Sequence, residues 1–171
     1  MTARYTRTAT ILHWLMAVPI VALLFLGEQT MGGHYARFLP TLHASAGFSL
    51  LALLVVRVWW RWKHPPPART HTSRWETFAA KAAHWLLYAA MALIPLTGWF
   101  AYTEHVRRSL GLRPASLFGF RIPLLPDFDI NWHLIHNWGG KLVLALIALH
   151  AAAALKHHFY DKDDTLTRML P

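Results

Sequence analysis

The chain has 171 residues, 55% of them hydrophobic, a net charge of +9 with twelve histidines left neutral, and no cysteine. Without cysteine, disulfides, zinc–thiolate sites and iron–sulfur clusters are excluded, while haem held through histidine remains possible. The basic residues lie mainly between apolar runs, which suits a phospholipid surface and not a nucleic acid.

Four apolar runs have the length a bilayer requires. The first is about residues 8–26 and the second about residues 42–62. The third, about residues 78–102, contains Pro95, and the fourth is about residues 136–158. Each is apolar all round, as expected of helices that face both lipid and one another. Pro19 and Pro95 would kink the first and third helices, which a membrane bundle tolerates. The first run lacks a small-residue cleavage site and carries His13, so it does not read as a cleaved signal peptide. The expectation is an all-α integral membrane four-helix bundle forming one domain over residues 1–171.

Loop charge predicts the orientation. Arg4 and Arg7 precede the first run, and Arg57, Arg61, Lys63, Arg69 and Arg74 end the second or precede the third. Lys156, Lys162 and Arg168 follow the fourth. Alternating helices put all of these on one side, so both termini are expected in the cytoplasm. Residues 63–72 (KHPPPARTHT) read as a proline-rich cytoplasmic linker. The outer loop between the third and fourth runs breaks the pattern with Arg107, Arg108, Arg113 and Arg121. A long loop inserts largely regardless of its charge, which is the plain explanation. The functional one is a basic outer surface that concentrates an anion.

The fourth run carries His136 and His150, fourteen positions apart. On a helix that is about 21 Å and close to four turns, so both imidazoles leave nearly the same face. His13 begins the first run on the inner side, and His43 begins the second on the outer side. Depth therefore pairs His13 with His150, and His43 with His136. Each pair suits axial ligation of one haem iron, giving two stacked haems. Single membrane histidines are more often interfacial or hydrogen-bonded than ligands, but four at paired depths carry a cost that function explains. Small residues nearby (Ala44, Ala46, Gly47, Gly139, Gly140) leave room for flat porphyrins.

His84 lies at roughly the depth of His13, so spacing alone leaves it open as the partner of His150 or as a proton donor to a substrate. His157 and His158 sit at the inner end, where interfacial snorkelling is the plain reading. His34, His64, His71, His105 and His133 read as loop or interface residues, with His133 a weak alternative outer ligand. Lys141 and Arg57 read either as snorkelling cations or as partners of haem propionates, and Lys141 also as an attractor of anions.

The stretches RYTRTATILHWL, TLHASAGFSLLALLVVRVWWR and KAAHWLLY, and above all WHLIHNWGGKLVLALIALHAAAALKHHFYDKDDTLTRMLP, resemble the bacterial cytochrome b561 family. The resemblance is to its superoxide oxidase (superoxide:ubiquinone oxidoreductase) type and covers nearly the whole chain, the outer loop least. It implies a multi-pass protein of the bacterial inner membrane with two haem b groups. His13 and His150 would hold the inner haem, and His43 and His136 the outer one. His84, His157 and His158 become candidates for the quinone site or its proton supply. The implied reaction takes one electron at a time from superoxide, drawn in by Arg107, Arg108, Arg113, Arg121 and Lys141, and passes it to ubiquinone. Two rivals remain open on the sequence. One is a haem-bearing subunit relaying electrons between a partner dehydrogenase or hydrogenase and quinone. The other is a haem-free proton or metal transporter. A homodimer or a redox partner is also left open.

Overall fold

A computed structural model describes residues 4–29, 38–67, 73–108, 116–117, 120–126 and 128–170. Four helices dominate it: α1 (Arg7–Gln29), α2 (Phe38–Lys63), α3 (Arg74–Arg108) and α4 (Trp132–Phe159). They run for 23, 26, 35 and 28 residues. All four are long and apolar enough to cross a bilayer, which needs about 20 residues. The protein is an all-α, four-helix transmembrane bundle.

Each helix outruns the apolar stretch that announces it, because capping and polar pairing extend it past the hydrocarbon. α1 starts where the Thr6 hydroxyl accepts the Ala9 N–H. α3 starts with a reciprocal box: the Ser73 hydroxyl accepts the Glu76 N–H, and the Glu76 carboxylate accepts the Ser73 N–H. At its far end α3 continues to Arg108, six residues beyond the apolar limit at Tyr102, and Glu104 pairs with Arg108 one turn on. Asn131 caps α4 by accepting from the Leu134 N–H.

α1 packs mainly on α2 and α3 mainly on α4, with the α2–α3 contact joining the two pairs. Two apolar clusters result. Met16, Leu50 and Leu54 form the one in mid-bundle, against Ile20, Leu23, Tyr88 and Met91. Tyr102, Val106 and Ile122 form the one at the loop end, against Phe48 and Trp99. Large apolar side chains such as Val18, Phe25, Val55, Trp85 and Leu149 point outwards, as a lipid-facing surface requires.

The two ends differ. At the tail end, the Trp14 indole donates to the Met169 carbonyl and the Trp60 indole donates to the Thr6 hydroxyl. The first bond ties α1 to a 3-10 turn at Thr167–Met169, and the second ties the end of α2 to the start of α1. At the loop end, two-residue strands β1 (Ser116–Leu117) and β2 (Phe120–Arg121) pair antiparallel. Residues 122–125 then fold back on α3. The Trp99 indole donates to the Pro123 carbonyl, the Arg107 guanidinium donates to the Leu125 carbonyl, and the Thr103 hydroxyl accepts the Leu125 N–H.

Candidate functional site

Two pairs of imidazoles face each other inside the bundle. The His43 ring from α2 and the His136 ring from α4 lie 5.9 Å apart between centroids, nearly perpendicular at 89°. The His13 ring from α1 and the His150 ring from α4 lie 6.3 Å apart. The rings that spacing pairs by depth are thus the rings the fold brings together. His84 of α3 also reaches His150, at 5.6 Å between centroids. Proximity alone therefore does not choose between His13 and His84.

Surrounding atoms fix these rings. His136 Nδ1 lies 3.1 Å from the Ile94 carbonyl and 3.3 Å from the Thr97 hydroxyl. Donation of Nδ1–H to that carbonyl leaves Nε2 free as a ligand, the usual way a protein orients a metal-binding histidine. Gly98 supplies the space: a Cβ there would stand 2.8 Å from His136 Cε1. Ile94, Thr97 and Gly98 flank Pro95 within α3 and were not singled out from the sequence. The run PLTG in an otherwise apolar helix was the signal, because proline followed by glycine marks a place where another group approaches closely. His43 Nδ1 is buried with no hydrogen-bond partner among the described residues. In the other pair, Arg57 of α2 brings Nη2 to 3.3 Å from His13 Nδ1. His84 Nδ1 is held by the Ala80 carbonyl of its own helix, 2.6 Å away.

The sequence model of the family described as prokaryotic cytochrome b561 matches residues 4–171, essentially the whole chain. The chain belongs to the prokaryotic cytochrome b561 family. It is 35% identical to cytochrome b561 homolog 2 of Escherichia coli K12, over 98% of this chain and 91% of that protein. It is 29% identical to cytochrome b561 homolog 1 of the same strain, over 98% and 97%. A probable superoxide oxidase, CybB, of Yersinia pestis is 28% identical, over 94% and 92%. This cytochrome b561 is therefore a bacterial multi-pass membrane protein of a haem b-binding, electron-transferring oxidoreductase family.

The residues present fit haem b. Two imidazoles on opposite sides of one metal, with bonds of about 2.0–2.1 Å, leave their ring centres about 6 Å apart. Both facing pairs have that separation. The buried His43 Nδ1, without a partner among the described residues, and the space that Gly98 leaves beside His136 belong to the same reading.

The other singled-out residues lie at the two ends. Near the tail end, a cavity of about 440 Å³ is lined by Tyr5, Arg61, Lys81, His84, Trp85 and Arg168, among others. His157 is largely buried, with Nδ1 2.8 Å from Asp163 and 3.0 Å from Asp161. Lys156 also pairs with Asp161, at 2.8 Å. Burial pushes the Asp163 carboxyl up, but hydrogen bonds from Thr165 and His157 outweigh it and hold the group below the usual range. This cluster closes α4 onto the tail and is internally satisfied. His158 packs edge-on against Phe159. At the loop end Arg107, Arg108 and Arg121 are exposed, although Glu104 offsets the charge of Arg108 at 2.6 Å. Lys141 is exposed and lies over the Trp138 ring at 4.8 Å. Arg113, His34 and His71 lie outside the described residues.

Proposed function

We propose that this cytochrome b561 is a superoxide:ubiquinone oxidoreductase of the bacterial inner membrane, with both termini in the cytoplasm. The single observation that carries the reading is the presence of two facing imidazole pairs, about four turns of α4 apart. His43 and His136 would hold one haem near the outer face, and His13 and His150 would hold the other near the inner face. His13 is preferred to His84 because 6.3 Å suits opposed ligands better than 5.6 Å, and because the family resemblance maps its first-helix ligand there. Bound haem b supplies one-electron transfer between the two faces. In balance, two superoxide ions each lose one electron and leave as dioxygen, and one ubiquinone takes two electrons and two protons to become the quinol.

The chain's own residues serve the two ends of this reaction. Outside, Arg107, Arg121 and Lys141, with Arg108 partly offset, make a basic surface that raises the local concentration of an anion. The name of the Yersinia relative is consistent with superoxide as that anion. Inside, the cavity reaches His84, whose ring touches His150. Its volume suits a quinone head group. His84, with Tyr5 and Arg168 also lining the cavity, offers hydrogen bonds to the quinone oxygens, and imidazole titrates in the range needed to pass protons. His157, between Asp161 and Asp163, is placed to draw protons from the cytoplasm, and His158 stands beside it.

The test uses the purified protein alone. A superoxide source should reduce the b haems and form ubiquinol, and added superoxide dismutase should abolish both. Haems that dithionite reduces but superoxide does not would overturn the reading and favour a partner-fed quinone reductase. A protein without haem would leave the histidines to proton or metal transport.

A further inference from the structure

The two imidazole pairs have opposite electrostatic surroundings. Beside the inner pair stands Arg57, with Nη2 3.3 Å from His13 Nδ1. A guanidinium is a donor only and stays charged. Among the described residues no carboxylate lies within ion-pairing distance of Arg57. A second cation stands nearby: Arg57 and Arg61 both lie against the Tyr88 ring, at 6.0 and 5.7 Å from its centre. The outer pair has the negative end of a dipole instead. His136 Nδ1 faces the Ile94 carbonyl, with the Thr97 hydroxyl beside it. Lys141, on the same helix as His136, is exposed and turned onto Trp138.

We infer that Arg57 is the residue that sets the direction of electron flow, by raising the midpoint potential of the inner centre above that of the outer one. The inference rests on the ligand pairing proposed above. A cation that no protein carboxylate pairs with, standing beside a redox centre, disfavours the oxidised form, which carries one more positive charge, and so raises the potential. A carbonyl accepting from the far nitrogen of a ligand imidazole makes that ligand a stronger donor, favours the oxidised form and lowers the potential. Both effects make the step from the outer to the inner centre downhill. With Nε2 as the ligand, His13 Nδ1 carries the proton and does not accept from Arg57, so the effect of Arg57 is one of charge at close range and not of a hydrogen bond.

Redox potentiometry on the haem-loaded protein in detergent tests this, with absorbance as the readout. Arg57→Gln should lower one of the two midpoints and leave the other unmoved. The expected size is about tenfold in the reduced-to-oxidised ratio at fixed potential, or about 59 mV for one electron. Arg57→Lys should restore most of it, which a merely structural role would not. Arg57→Met repeats the neutralisation without placing an amide in the membrane, should the glutamine variant fail to assemble. To assign the shift to the inner centre, the change is repeated in His136→Ala, which keeps only that centre. There the sole remaining midpoint should fall. An unchanged or higher midpoint in Arg57→Gln and Arg57→Met, or equal shifts in both centres, would overturn the inference. Two haems retained in His136→Ala would overturn the ligand pairing instead, a separate failure.

Discussion

At Gly98 the room for a side chain is set by an imidazole. Alanine normally adds about 1 kcal/mol of helix stability over glycine. Here its Cβ would stand 2.8 Å from His136 Cε1 and 3.1 Å from Nδ1, on a ring already held by the Ile94 carbonyl. Gly98→Ala should therefore keep a folded, helical protein and lose the outer haem, seen as a halved haem count with unchanged circular dichroism. A full complement of haem in that variant would contradict the role given to the glycine. The histidines themselves were legible from residue spacing, because a helix converts fourteen positions into a fixed length and direction. Their supports were not. The Ile94 carbonyl belongs to the backbone, and Arg57 read from the sequence as a snorkelling cation or a propionate partner, with nothing to place it beside His13. The choice between His13 and His84 is equally invisible to spacing, since both lie at one depth on helices that converge on His150.

The four helices were legible as apolar runs, but only to the limits of the hydrocarbon they cross. What lies beyond depends on caps and charge pairs, which hydropathy does not see. The Ser73–Glu76 box begins α3 four residues before the apolar stretch, and the Glu104–Arg108 pair lies two to six residues past its other end. Ser73→Ala should cost about 1 kcal/mol of stability, the usual value for a lost N-cap. It should leave the haem content alone, because the box stands at the helix end and not at either imidazole pair. Thermal denaturation with a haem count reads both, and loss of haem would show that the cap positions the site. The short hairpin of β1 and β2 was not legible at all. Its strands are two residues each, too short to show alternation.

For the whole molecule, the positive charge at the loop end has a specific consequence. Charge reversal at Arg107 and Arg121, both exposed, should slow reduction by superoxide severalfold while leaving reduction by dithionite unchanged. The difference should shrink as salt is raised, since exposed charges are screened within about 10 Å at 0.1 M. Equal rates with both reductants at low salt would remove steering from the account. The bundle itself follows from four apolar helices with little exposed polar surface between them, whereas the reaction follows from where two pairs of rings meet. The most direct measurement is therefore a haem count by absorbance on the wild type and on His13→Ala and His136→Ala. The account predicts two b haems in the wild type and one in each variant. A single haem in the wild type, or two retained in either variant, would contradict it.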